Sequence, residues 1–192
     1  MRTTMVPAVT TTLALLVTAN VARAEVTERK FLSGGTVRLD LAAGEYEVVA
    51  SKDDRIRVSW DDHGKDAKVS LRIDVQASKA TVRTETPWKD GPTIRIELPR
   101  RTNMIVRLTA GDLKIEGIEG SKDVSAHAGD VSISVGKREQ YRYVKASVTV
   151  GDLTVDAFNV NKDGLFRSFE WTGKGQYELR AHLMAGDLKL DN

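Results

Sequence analysis

Apolar and polar positions alternate with a period of two along most of this chain, from Thr27 to its end. Successive side chains of a strand point to opposite faces, so this period marks strands with one buried and one solvated face. The clearest runs are Thr36-Val37-Arg38-Leu39-Asp40-Leu41, Tyr46-Glu47-Val48-Val49, Ile56-Arg57-Val58-Ser59-Trp60, Val69-Ser70-Leu71-Arg72-Ile73-Asp74-Val75 and Thr93-Ile94-Arg95-Ile96-Glu97-Leu98. Between them stand Gly34-Gly35, Asp61-Asp62-His63-Gly64 and Asp90-Gly91-Pro92, the residue types that favour turns. No stretch carries an apolar stripe at the 3.6-residue period, and the pattern predicts an all-β domain.

An internal repeat is clearest in residues 108–192. Its unit is Gly-Asp followed by apolar-x-apolar, at Gly111-Asp112-Leu113-Lys114-Ile115, Gly129-Asp130-Val131-Ser132-Ile133, Gly151-Asp152-Leu153-Thr154-Val155 and Gly186-Asp187-Leu188-Lys189-Leu190, with a looser copy at Gly44-Glu45-Tyr46-Glu47-Val48. Before the second copy the inward residues are Val124, Ala126 and Ala128; after it they are Val131, Ile133 and Val135, so the inward phase resumes three positions on. A two-residue turn in which glycine supplies positive φ produces that shift. Gly111, Asp112, Gly129, Asp130, Gly151, Asp152, Gly186 and Asp187 are therefore expected to be structural corners, with Lys114, Ser132, Thr154 and Lys189 pointing outward. Repeats of this kind predict a β-solenoid resembling a right-handed parallel β-helix, with an antiparallel meander or sandwich as the alternative. The longer interval from Gly151 to Gly186 leaves room for two extra strands, near residues 164–171 and 176–183.

The run Ile96-Glu97-Leu98-Pro99 through Leu108-Thr109-Ala110-Gly111-Asp112-Leu113-Lys114-Ile115-Glu116-Gly117, the later Gly-Asp units, and the closing Gly164-Leu165-Phe166-Arg167-Ser168-Phe169-Glu170-Trp171 together resemble the exported bacterial "putative adhesin" family. The likeness extends over most of residues 36–192. It implies a solenoid-like fold and a place in the cell envelope, and it brings no catalytic residues with it.

The N-terminal segment changes the picture of compartment. Met1-Arg2, an uncharged stretch with the apolar centre Leu13-Ala14-Leu15-Leu16-Val17, and Ala22-Arg23-Ala24 form the pattern of a cleaved signal peptide. Residues 1–24 are expected to leave after Ala24, so that residues 25–192 form one domain with no stable membrane insertion. Threonines interrupt the apolar run well short of the roughly 20 residues a spanning helix needs. The chain has no cysteine, hence no disulfide framework and no lipid-attachment cysteine. Its 29 Lys and Arg stand against 27 Asp and Glu, and the expected cut removes Arg2 and Arg23, leaving an even balance. An even balance gives no global field to draw in nucleic acid.

The common signatures of nucleophilic, nucleotide and zinc-protease chemistry, such as Gly-x-Ser-x-Gly, Gly-x-x-x-x-Gly-Lys-[Ser/Thr] and His-Glu-x-x-His, are missing. No catalytic residue, metal site or cofactor is therefore assigned. Asp61-Asp62-His63 reads as a solvated loop in preference to a zinc site, since none of His63, His127 and His182 has a partner at ligand spacing. Asp112, Asp130, Asp152 and Asp187 would form an acidic ladder if the repeats stack. The chain lacks the nonapeptide of calcium-binding β-rolls, and turn aspartates capping their own backbone explain these residues better. Polysaccharide cleavage on a β-helix would need converging ionisable groups, for which Glu170 with Arg167, or Asp61 with Asp62, are the nominees. Trp60, Trp88 and Trp171 are candidate sugar-stacking platforms or partner anchors, and Trp171 is the ligand-binding candidate among them, set against a capping role beside Phe166 and Phe169, with aromatics on both strand faces suggesting burial on both sides. These features predict a non-catalytic binding, adhesion-like or structural module, periplasmic, secreted or at the cell surface. Its expected partner is an envelope or extracellular protein or glycan, with self-association possible; a polysaccharide-acting enzyme is the alternative.

Overall fold

The computed structural model describes residues 25–60, 69–85, 92–162 and 165–192. The first strands are β1 (Glu25–Lys30), β2 (Thr36–Leu41), β3 (Glu45–Ser51), β4 (Arg55–Trp60), β5 (Ser70–Gln76) and β6 (Lys79–Glu85). Then come β7 (Thr93–Pro99), β8 (Asn103–Ala110), β9 (Leu113–Glu116), β10 (Lys122–Ala128), β11 (Val131–Ser134) and β12 (Tyr141–Val150). The last are β13 (Leu153–Val155), β14 (Val160–Lys162), β15 (Leu165–Thr172), β16 (Tyr177–Ala185) and β17 (Leu188–Asp191). Single 3-10 turns occupy Arg138–Gln140 and Asp156–Phe158. The expected signal peptide with Ala24, the Asp61-Asp62-His63 cluster and Trp88 lie outside the described residues.

The protein is all-β, with two mixed sheets that enclose one hydrophobic core and do not close into a barrel. One sheet has nine strands in the order β1-β4-β7-β3-β9-β11-β17-β13-β14, and the other eight, in the order β15-β12-β16-β10-β8-β2-β6-β5. Their central pairings are all parallel, as between β8 and β10 or β9 and β11, whereas the outer pairings β12 with β15, β5 with β6, β4 with β7, β1 with β4 and β13 with β14 are antiparallel. A rung consists of one strand from each sheet, the two consecutive in the chain. The rungs stack as β6/β7, β2/β3, β8/β9, β10/β11, β16/β17 and β12/β13. Chain order is kept only through β8 to β11. The second rung along the stack comes first in sequence, and the β16/β17 rung is inserted between two that precede it.

The strand alternation explains the core. Val37, Leu39 and Leu41 of β2, Val106 and Leu108 of β8, and Val144, Ala146 and Val148 of β12 point inward from the eight-stranded sheet. Val48, Ile96, Ile115, Ile133, Leu190 and Val155 face them from the nine-stranded sheet, and all are essentially without exposure. Each such aliphatic side chain contributes about 1.5–3 kcal/mol relative to an exposed one. The run Lys79–Glu85, not singled out above, is the strand β6, with Ala80, Val82 and Thr84 inward. The two strands anticipated near 164–171 and 176–183 are β15 and β16.

The Gly-Asp pairs sit where the chain passes from the eight-stranded to the nine-stranded sheet, so they are corners between layers and not hairpin tips. Their glycines form a column in the order Gly44, Gly111, Gly129, Gly186, Gly151. A Cβ on Gly129 would lie 2.0 Å from the Gly111 carbonyl oxygen, and one on Gly151 2.1 Å from that of Gly186. Gly129 has φ +116° and Gly151 +125°, a region that side chains disfavour. Rung-to-rung bonds tie the column: Gly111 N–H donates to Ala128 O at 2.9 Å, and Gly129 N–H to Ala185 O at 3.0 Å.

The β12/β13 end of the stack is closed by β15, β14 and the turn at Asp156–Phe158. The Phe158 ring lies 5.1 Å from those of Phe169 and Trp171, all three half-buried. Burial on both faces of β15, expected from its aromatics, is not what the fold produces: Phe166, on the other face, is 79% exposed with φ +53°. β15 is the sheet edge, and among the described residues no layer covers its outer side.

Gly129→Val and Gly151→Val should each cost about 3 kcal/mol or more, from forced φ and backbone overlap together. Thermal melts check this. Unchanged melting temperatures in both variants would remove the glycine column as a structural requirement.

Candidate functional site

The outer face of the eight-stranded sheet carries polar side chains in rows across the strands. Register places Ser168, Ser147, His182, Ser125 and Arg107 side by side on β15, β12, β16, β10 and β8. The neighbouring row holds Glu170, Lys145, Arg180 and Asp123. Adjacent strands are about 4.8 Å apart, so each row is a close-set array. Ser125 and Ser147 are short where Arg107, Lys145 and Arg180 around them are long. The difference leaves a shallow cup of about 370 Å³ whose lining includes these residues together with Asp123, Val124, Ala181 and His182.

Hydrogen bonds and ion pairs hold the rim. Ser147 Oγ and His182 Nδ1 are 2.9 Å apart. Arg107 Nη1 donates to Asp123 Oδ1 at 3.0 Å and to the carbonyl oxygens of Val106 and Asp123 at 2.9 and 3.2 Å. Lys145 Nζ is 2.7 Å from Glu170 Oε1, which raises the lysine pKa and lowers that of the glutamate. Arg180 pairs with Glu178 at 2.9 Å, and its guanidinium carbon lies 5.8 Å from the centre of the Tyr143 ring. Three cations and one carboxylate line the cup itself, and each cation is held by an acid, Arg107 by Asp123, Lys145 by Glu170 and Arg180 by Glu178.

A larger trough of about 510 Å³ runs beside the corners on the other sheet, between Glu45, Asp112, Asp130 and Asp187 on one side and Glu47, Lys114, Ser132 and Lys189 on the other. The corner aspartates stack in the order Asp112, Asp130, Asp187, Asp152, the first three lining the trough. Asp112 Oδ1 accepts from the Asp130 N–H at 3.3 Å, Asp130 Oδ1 from Asp187 N–H at 3.4 Å, and Asp187 Oδ1 from Asp152 N–H at 3.3 Å. These carboxylates accept from the backbone of the adjacent rung, not from their own turn as expected, because stacking brings the next corner's N–H within reach. Lys114, Ser132, Thr154 and Lys189 lie on the outer side of the nine-stranded sheet, as the parity requires. Farther along this sheet Arg57 donates to Asp53, to Glu28 at 3.0 Å and to Glu97 at 3.4 Å, and holds the Asp53 carboxyl below its ordinary pKa.

Of the pairs nominated for polysaccharide cleavage, Asp61 with Asp62 lies outside the described residues, and Glu170 with Arg167 does not converge. Arg167 and Glu170 are on opposite faces of β15, Arg167 beside inward Val148 and Glu170 beside outward Lys145. Trp171, the ligand-binding candidate, is turned inward, and a Cβ on Gly173 would lie 2.2 Å from its ring. Its place is in the end cap and not on an open face. Trp60 is buried. His127 and His182 are on the outer face of the eight-stranded sheet, and among the described residues no three His, Asp or Glu side chains gather as a metal-binding group.

One buried titratable group escaped the sequence reading. Lys122 occupies the inward phase of β10 with Val124 and Ala126, is 2% exposed, and donates from Nζ to Tyr141 Oη at 2.6 Å, 5.3 Å from the ring centre. Burial pushes its pKa down to about 8 and that of the tyrosine hydroxyl up. The only sequence signal is parity: counting back by two from Val124 lands on a lysine.

No family model matches the sequence, and no curated protein does. Solved structures do. A crystal structure described as a "putative cell adhesion protein" from Clostridium sporogenes matches with TM-score 0.53 at 13% identity, over 88% of this chain and 99% of its own. The two chains share a fold. At that identity the likeness extends to architecture alone. A "putative adhesin" from Bacteroides fragilis aligns over 88% of this chain and 98% of its own, with TM-score 0.27 and 11% identity. A "putative lipid binding protein" from Parabacteroides distasonis aligns over 88% and 97%, with TM-score 0.24 and 10% identity. Among the described residues no helix is long and apolar enough to cross a membrane.

The Lys122 and Tyr141 shifts give a pH dependence with a definite sign. The folded lysine pKa lies below its unfolded value, so between about pH 8 and 10 the unfolded state holds more protons and stability rises with pH. Above about pH 10 the unfolded tyrosine ionises first, and that contribution falls again. Lys122→Met should melt higher than the parent at pH 7 and lose the rise, which is worth about 3 kcal/mol at most. Parallel stability curves for the two proteins across pH 7–10 would show the ammonium is not desolvated.

Proposed function

We propose that this chain is an exported, non-catalytic binding module of the cell envelope that acts through the outer face of its eight-stranded sheet. The reading takes the six stacked rungs as a solenoid-like repeat with rungs inserted out of chain order, and an envelope or extracellular protein or glycan as the partner. The observation that carries it is the cup: cations fixed by neighbouring acids and an aromatic ring, over serine hydroxyls, on the outer face of the sheet. A glycoside-cleaving site needs two carboxyls facing each other across the scissile bond, roughly 5–9.5 Å apart. Of the residues lining this cup only Asp123 is an acid, and Arg107 holds it.

Because the chain has no cysteine, single cysteines can be labelled uniquely. Ser147→Cys carrying a bulky maleimide should lose at least tenfold in retention on isolated envelope material, while labelled Ser132→Cys, on the other sheet, should bind like the parent. Release of soluble sugar or peptide by the purified protein, or equal retention of the two labelled proteins, would overturn this reading.

A further inference from the structure

We propose that the cup between β8, β10, β16 and β12 receives the acid group of an anionic sugar unit, so that the ligand of this face is an acidic polysaccharide. The inference rests on the reading of this face as a binding surface and adds the chemistry of what it binds. Three cations from three strands, Arg107, Arg180 and Lys145, surround a floor that offers Ser125 and Ser147 hydroxyls and the His182 ring. A carboxylate with hydroxyls on adjacent carbons is complementary to that set: the guanidinium fork takes the carboxylate oxygens in a bidentate pair, and hydroxyl partners take the ring oxygens. The cup's volume falls in the range of roughly 300–1,000 Å³ that small-ligand sites occupy, with room for one or two sugar residues.

The existing ion pairs do not block such a ligand. They are exposed, and pairs of that kind hold by only about 0–1 kcal/mol. A guanidinium has five donors, and Arg180 uses few of them on Glu178. The acids keep the long cations extended around the cup, which lowers the ordering cost of binding. The polymer character of the ligand follows from the rows, which continue the same polar chemistry over neighbouring strands: Ser168 beyond Ser147 on one side, and Asp40, Arg83 and Arg72 beyond Arg107 on the other. An anionic bilayer suits the face less well. A bilayer is a broad surface and would press on the six carboxylates Asp40, Asp74, Glu85, Asp123, Glu170 and Glu178 of this face at once, whereas an acid group seated in the cup meets only Asp123 among the lining residues.

The test is titration calorimetry of the purified protein with a hexuronate oligosaccharide and with its carboxyl-reduced, neutral counterpart, alongside vesicles containing anionic lipid. The acidic oligosaccharide should bind, weakening with added salt, and the neutral one should bind at least tenfold more weakly. Arg107→Gln and Arg180→Gln should each lose about tenfold, Arg180→Lys less, and Lys114→Gln on the other sheet nothing, with melting temperatures recorded for every variant. Equal affinity for the two oligosaccharides, or tighter binding to the vesicles, would overturn the proposal. Absence of uronate binding by a protein that is still retained on envelope material would overturn the ligand class and leave the binding module standing; loss of both would remove both.

Discussion

Everything in this molecule is arranged around the approach of one backbone to the next at the Gly-Asp corners. A carbonyl oxygen of one rung occupies the space where the Cβ of the next rung's residue would be, so Gly111, Gly129, Gly186 and Gly151 admit no side chain. That contact fixes the height of each rung on its neighbour and brings the strands on both sides of the corner into parallel register. The aspartate that follows each glycine then caps the adjacent rung through its carboxylate. With register set in this way, the inward residues of both sheets meet as continuous rows of Val, Ile and Leu.

Flat outer faces are the other product of that register. Side chains at equivalent positions fall into rows one strand apart, so a small change of residue size within a row produces relief. Ser125 and Ser147 among arginines and lysines make the cup on the eight-stranded sheet. On the nine-stranded sheet Arg57 and Arg95 pair with Asp53, Glu28, Glu47 and Glu97. The inward guanidinium of Arg167 at the β15 edge opposes pairing with another strand, as charges turned inward on edge strands do.

Strand alternation was legible because a period of two is a local property: Thr36–Leu41 or Thr93–Leu98 declares its buried face without help from the rest of the chain. The corners were legible for the same reason, since the phase shift across Gly129-Asp130 is written in the residues on either side. The order in which rungs stack was not. β2 pairs with β6 and β8 through contacts that no local pattern encodes, and the insertion of β16 between β10 and β12 depends on the fit of whole strands. The cup escaped for that reason, since Arg107, Lys145 and Arg180 come from β8, β12 and β16. Trp171 drew notice as a large aromatic, yet its environment is set by Phe158 from a different element. Lys122 was hidden because a lysine in an inward phase reads as an exception until Tyr141 is placed opposite it.

The out-of-order stacking bears on how the chain reaches this state. A repeat protein whose rungs follow the sequence can grow from one end, each unit docking on the one already made. Here the β10/β11 and β12/β13 rungs are separated until β16 and β17, the strands latest in the sequence, enter between them. The β2/β3 rung likewise gains its two neighbours only after β6 to β9 exist. Most of the pairing is therefore non-local, which slows folding. A growing chain can stack its first four rungs once residue 134 is made, but the β12/β13 rung and its end cap have nothing to dock on until residues 177–191 arrive, so that end of the molecule closes last.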